Sequence, residues 1–278
     1  MVSGKAILSR PVTPRPTPWT DVPYGPHPDQ VAEITVPDGA SGPWPLVLLL
    51  HGGVWREPHD RVHVRPLAAA LAATGVVVAN VDYRRVDGAG GWPATFEDAA
   101  AATDALPRLV TAAGLAEVDP QAVVLVGHSA GGHLALWSAL RHRLPAGAPG
   151  RRTTPPGVAG VVALGAVVAL TEFHAASDDA PTVERLMGGS PADVPDRYRS
   201  ADPARIGAPD CRTILVHGTD DEAVPVATVR DYAAAHPGVV ELVELPATGH
   251  FPVIDPTSTA WPAVRAAVHR AAGRDRGA

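Results

Sequence analysis

Ser129 sits in the pentapeptide Gly127-His128-Ser129-Ala130-Gly131, which follows an apolar run at 122–126 and precedes an alanine- and leucine-rich stretch. Where a strand turns into a helix this abruptly, the positions two before and two after the serine must be small; Gly127 and Gly131 are, and Gly132 extends the permissive stretch. Such a turn lifts the serine hydroxyl off the sheet and aims the positive end of the following helix at it. A glycine-rich turn of no chemical meaning would not need a strand and a helix on those two sides. A serine hydroxyl is a weak nucleophile until a base takes its proton. In an elbow of this kind the partners follow in the order serine, acid, histidine. The run 213–216 leads into His217-Gly-Thr-Asp-Asp-Glu-Ala-Val-Pro225, where Asp221 fits the acid best and Asp220 is its rival. His250, in Ala247-Thr-Gly-His-Phe251, follows the last apolar run and is the candidate base. A fourth group, His51-Gly-Gly-Val-Trp55, comes directly after the apolar run ending at Leu50. Acyl transfer creates an oxyanion, and each preorganised N–H aimed at it is typically worth ~3–4 kcal/mol. The N–H groups of Gly53, Val54 and Ala130 are the candidates.

These groups need a scaffold that brings them to one edge. The runs 45–50, 76–81, 122–126, 158–164 and 213–216 are short, β-branched and apolar on both faces, and 239–245 adds a run interrupted by glutamates. Such runs mark central parallel strands covered on both sides. Between them lie helix candidates at 64–73, 95–113, 131–141, 226–235 and 257–272. Pro107 falls inside the second and is expected to kink or end it. Alternation of this kind predicts an α/β fold, a doubly wound parallel sheet within a single domain over 1–278. Two stretches depart from the rhythm. Residues 1–28, with seven prolines between Pro11 and Pro28, read as an extended arm. Residues 171–210 are rich in Asp, Pro, Ser and Arg and read as an irregular lid with at most a short helix at 182–187.

Composition removes several chemistries. The 278 residues carry a net charge of −6 without a basic run, which argues against a nucleic-acid partner. Lys5 is the only lysine, so neither an interior Schiff base nor a Walker-type lysine is available. Cys211 stands alone, which excludes an intrachain disulfide and cysteine-built zinc sites; it reads as an inert thiol. The apolar stretch 157–170 is too short to span a bilayer, and 1–28 lacks the apolar core of a signal peptide. A cytoplasmic protein without a membrane partner, metal or cofactor is the expectation. His59 and His63, four apart, lack a third ligand nearby and read as structural. His128 and His133 flank the elbow as packing residues. Trp55 and His128 are the candidate substrate-contacting side chains, Trp55 as a wall of the acyl pocket or as core. Arg84 and Arg85 could meet a substrate carboxylate, but ion pairs with Asp82 or with the helix beginning near Glu97 suit them better.

The motifs HGGVW (51–55), VDYRR (81–85), GHSAGGH (127–133), HGTDDEAVP (217–225) and TGHF (248–251) resemble the esterase and kynurenine formamidase group of α/β-hydrolases. Tyr24-Gly25 with Pro28-Asp29-Gln30 is similar to the lead-in segment of esterases in that group, so the resemblance covers about 22–272. It implies a mostly parallel eight-stranded sheet with helices on both faces. It also implies a small cap between the sixth strand and the strand bearing the acid, and a triad of Ser129, Asp221 and His250. Lipase-like relatives carry a third glycine where this chain has Val54, whereas the His-Gly-Gly-x-Trp form is shared by formamidases and ordinary esterases. The implied activity is hydrolysis of a small or aromatic carboxylic ester through an acyl-enzyme, with an aryl formamide as the alternative substrate. Peptide cleavage, acyl transfer and non-catalytic ligand binding on the same fold rank lower. The expected partner is a small-molecule ester or amide, and the sequence carries no signal for oligomeric state.

Overall fold

The computed structural model of the protein describes residues 19–39 and 42–274. Eight strands form one sheet in the order β1-β2-β4-β3-β5-β6-β7-β8: β1 Thr20–Pro23, β2 Val31–Thr35, β3 Trp44–Leu50, β4 Val77–Val81, β5 Val118–His128, β6 Gly160–Leu164, β7 Arg212–Gly218 and β8 Val240–Leu245. β1 and β2 pair antiparallel, as do β2 and β4, and every other pair is parallel. The helices are α1 Arg65–Ala72, α2 Ala94–Ala112, α3 Ala130–Leu140, α4 Leu170–Ala176, α5 Ala180–Met187, α6 Pro195–Ala201, α7 Pro203–Ile206, α8 Val226–Ala235 and α9 Trp261–Ala271.

The central strands are apolar on both faces because both are covered. Leu46, Leu48 and Leu50 point into a core with α2, α3 and α8, while Val47 and Leu49 pack with α1 and α9. Register then aligns the strand ends: Leu50 pairs with Gly127, His128 with Leu164, Leu164 with Val216, and Gly218 with Leu245. The loops after β3, β5, β6, β7 and β8 therefore leave the sheet in a row along one edge. β3 has β4 on one side and β5 on the other, so the order in which strands are added reverses there, where a crevice opens in doubly wound sheets.

Three expectations are corrected. The arm expected over 1–28 holds a strand: β1 buries Val22 against β2, and residues 1–18 of that segment lie outside the described residues. β2 itself escapes a hydrophobicity reading because its middle residue is Glu33, only 1 % exposed. The cost of burying that carboxylate is met by the Arg65 guanidinium, which donates from Nε at 2.9 Å, and by Arg61 at 3.4 Å. Residues 171–210 are helical. α4 to α7 are too short to persist alone, and capping and packing hold them. Pro181, Pro195 and Pro203 sit in the first turns of α5, α6 and α7. Asp202 accepts the N–H groups of Leu170 at 3.0 Å and Thr171 at 2.9 Å, and Val183, Leu186, Met187 and Tyr198 are buried. Finally, Pro107 does not end α2, because Phe96, Ala99, Leu106 and Val110 anchor the helix in the core on both sides of it. Among the described residues no helix is long and apolar enough to cross a membrane.

A proline inside a helix leaves the carbonyl four residues earlier without its donor. Pro107→Ala restores that bond and is expected to raise unfolding stability by about 1 kcal/mol or more, read from urea denaturation.

Candidate active site

Ser129 joins β5 to α3 with φ 53° and ψ −118°, a conformation that few non-glycine residues adopt. An added Cβ at Gly127 would collide with the Gly131 carbonyl, and one at Gly131 with the Leu50 carbonyl. Gly132 lies against Ala166, so it too is required to be small. The Ser129 N–H donates to the Leu164 carbonyl at 2.9 Å and its carbonyl accepts from His133 N–H at 3.1 Å, which ties the elbow to β6 and α3. All eleven residues of α3 are buried, so the serine stands on the most enclosed helix of the fold and is itself 7 % exposed.

The acid and the imidazole come from adjacent loops laced together. Thr219 N–H donates to the Leu245 carbonyl at 3.0 Å, and Asp220 N–H to the Thr248 carbonyl at 3.0 Å. His250 Nδ1 lies 2.7 Å from Asp221 Oδ2. Asp221 Oδ1 accepts from the N–H groups of Ala223 at 3.0 Å and Val224 at 2.8 Å, so the carboxylate is held by its own turn. Asp220 is exposed and bonds the Thr219 hydroxyl. Between the two acids expected at this loop, Asp221 is the one brought to His250. Gly165, after β6, was missed by sequence reasoning: with φ +50°, its missing side chain leaves room for the pair, since a Cβ there would stand 3.2 Å from His250 Nδ1 and 3.3 Å from Asp221 Oδ2. Leu164 accepts from the Ser129 N–H and Gly165 faces the His250–Asp221 pair, so one dipeptide borders both the elbow and the pair.

His51-Gly-Gly-Val-Trp55 packs onto the elbow: a Cβ on Gly52 would stand 3.2 Å from Ser129 Cβ. Gly53, Val54 and Trp55 have φ of 110°, 53° and 55°. Val54 thus adopts the left-handed backbone that a glycine would take without strain. Anchors hold that conformation. The Tyr83 hydroxyl donates to the His51 carbonyl at 2.7 Å, its ring stacks on the His51 ring at 4.3 Å, and Asp82 Oδ1 lies 3.1 Å from His51 Nε2. Arg85 and Arg61 pair with Asp82, and Arg84 with Asp98 at 2.6 Å, so both arginines of VDYRR serve the scaffold.

Trp55 is fully buried, edge-on to His133 and to Phe173. Phe173 lines a cleft of about 330 Å³ between α4 and the acid loop, with Val167, Ala169, Glu222, Val224 and Thr228. His128 is buried too; its Nε2 donates to the His250 carbonyl at 3.1 Å, and burial, helped by neighbouring His250, holds its imidazole well below the ordinary value. His63 Nδ1 bonds the Asp60 carbonyl at 2.7 Å, and His59 packs over Gly53. Burial pushes the Cys211 thiol up to about 11.

A strand-built sheet carrying a serine elbow after its central β5, with an acid after β7 and a histidine after β8, defines an α/β-hydrolase. Residues 32–235 match the BD-FAE family, and the chain belongs to it. The probable carboxylic ester hydrolase LipM of Mycobacterium tuberculosis is 28% identical over 218 residues, 76% of this chain and 50% of LipM. Esterase LipQ of the same organism is 27% identical over 241 residues, 83% of this chain and 56% of LipQ. The chain thus spans about half the length of these curated relatives. Among solved structures, esterase B from Lactobacillus rhamnosis superposes with a TM-score of 0.78 at 21% identity, over 97% of this chain and 89% of that one. A carbohydrate esterase from gut microbiota does so with 0.77 at 21% identity, over 92% and 96%. At that identity the likeness establishes the shared fold.

Two predictions follow from packing at this edge. Gly165→Ala places a methyl against the His250–Asp221 pair at a left-handed φ, and kcat on an ester such as p-nitrophenyl butyrate is expected to drop roughly tenfold or more. His133, fully enclosed with Nε2 on the Ala201 carbonyl at 2.8 Å, has its imidazole lowered to about 4 by burial, as has His63. An unfolded chain protonates such rings as pH falls through about 6.5, whereas these folded rings stay neutral until about 4. Their contribution to stability is therefore complete above pH 6.5 and is lost as pH falls towards 4, at about 1.4 kcal/mol per pH unit for each ring. Thermal melts from pH 7.5 to 4.5 are expected to show that decline, and His133→Gln, which keeps a donor for Ala201, is expected to make it shallower.

Proposed function

We propose that the protein is a serine hydrolase of small or aromatic carboxylic esters, acting through an acyl-enzyme, with Ser129, His250 and Asp221 as its triad. The observation that carries this reading is the 2.7 Å contact between His250 Nδ1 and Asp221 Oδ2, on the same sheet edge as a serine held in an elbow at positive φ. The esterase names of LipM, LipQ and esterase B support the choice of ester.

Asp221, already accepting two backbone N–H groups, accepts a hydrogen bond from His250 Nδ1, which leaves the Nε2 lone pair for Ser129. Ser129 Oγ gives its proton to Nε2 as it attacks the ester carbonyl. The C–O π pair moves to oxygen, and the N–H groups of Gly53, Val54 and Ala130 receive the oxyanion. Collapse expels the alcohol, which takes the Nε2 proton. Water then repeats the sequence on the acyl-enzyme, releasing the acid and restoring the serine. The bonds of Tyr83 and Asp82 to His51 hold the strained donor loop in shape before substrate arrives.

The test compares kcat/KM for p-nitrophenyl acetate, butyrate and octanoate with that for N-formylkynurenine, in wild type, Ser129→Ala, Asp221→Asn and Asp220→Asn. Esters are expected to be preferred. Ser129→Ala and Asp221→Asn should each lose roughly 10³-fold or more, and Asp220→Asn should stay within about threefold of wild type. Turnover surviving Ser129→Ala would sink the mechanism, and formamide turnover exceeding every ester by about 10²-fold would move the substrate to the aryl formamides.

A further inference from the structure

Asp221 is approached by a second imidazole. His217, near the end of β7, is 1 % exposed, with Nε2 at 2.8 Å from the Val224 carbonyl and 3.4 Å from Asp221 Oδ2, the oxygen that also faces His250. A carbonyl only accepts, so the ring carries its proton on Nε2. Burial holds this imidazole below its ordinary value, outweighing the opposite pull of the Val224 bond and of Asp221, so the ring is neutral and its buried Nδ1 is bare and unpartnered. The remaining titratable groups that bear on it are His250, Glu244 and His128.

The bonds form a closed circuit. His217 Nε2–H donates to the Val224 carbonyl, the Val224 N–H donates to Asp221 Oδ1 at 2.8 Å, and Asp221 Oδ2 faces both imidazoles. Removing the His217 N–H frees the carbonyl of Val224, the residue whose own N–H is one of the two backbone donors that orient the carboxylate. We infer that His217 is a positioning residue, which locks the turn from Asp221 to Val224 so that Oδ2 stays aimed at His250 Nδ1. The inference rests on the reading of Ser129, His250 and Asp221 as the triad. The plain alternative is that the ring merely fills space at the end of β7.

Two variants separate these. His217→Phe keeps a flat ring of similar size but has no N–H, and His217→Gln carries an amide NH₂ close to the position of Nε2. In the full chain, His217→Phe is expected to lower kcat on p-nitrophenyl butyrate about tenfold or more with KM within about twofold. It should also shift or broaden the low-field proton resonance of the His250 Nδ1–H, while Tm stays within a few degrees. His217→Gln is expected to recover most of the kcat and the resonance. Wild-type kcat and resonance in His217→Phe, or a loss that follows Tm and is no smaller in His217→Gln, would leave His217 as filler. Ring ¹⁵N shifts of the unmodified protein decide the matter even where a variant does not fold: the neutral Nε2–H form is expected at pH 7, and an Nδ1–H or doubly protonated ring overturns the inference. A wild type that turns over no ester sinks the functional reading instead, since the tautomer and the resonance do not depend on turnover.

Discussion

At the end of β5 three backbones meet where no Cβ has room. Gly127 faces the Gly131 carbonyl and Gly131 faces the Leu50 carbonyl, so β3, β5 and the first turn of α3 touch through main chain alone. Side chains can be exchanged and repacked; a main-chain contact of this kind admits one residue type. Everything else at the edge is referred to that junction. It sets the angle at which α3 leaves the sheet, the height of Ser129 above it, and the distance from the elbow to the loop that begins at His51.

The outer parts of the site show a different economy. Asp221 is oriented by a turn that bonds to itself, through the N–H groups two and three residues on, and His51 is held from outside by Asp82 and Tyr83 at the end of the neighbouring β4. The strain at Val54, Trp55 and Ser129 persists because such bonds surround it, and all three residues follow the ends of β3 and β5 on one sheet edge.

The tight turn at Ser129, the glycine-rich loop after β3 and the central strands were legible because their signals are local: glycines at fixed spacing, or β-branched runs bounded by turns. What escaped reading depends on partners far along the chain. β2 reads as polar until Arg65, 32 residues later, neutralises Glu33. The cap reads as irregular because α4 begins on a carboxylate, Asp202, that lies beyond two further helices. Asp220 and Asp221 differ by one residue in sequence and could be ranked but not separated, whereas in space only Asp221 meets an imidazole. Gly165 carries no motif of its own, and His217 opens HGTDDEAVP without its partners being readable there. Their roles appear once strand register has placed β6 and β7 beside each other.

Asp202 has a consequence for the history of such a scaffold. Its carboxylate accepts from Leu170 and Thr171 where the cap departs from the sheet, and from Ala204 at 3.2 Å where the chain starts back. Entry and exit of the insertion are fastened at a single point, so the helices between them hang from the sheet as a closed module. A lineage can lengthen, shorten or exchange that module without moving Gly165 on one side or β7 on the other. Pocket walls are then free to diversify while the edge beneath them stays unchanged.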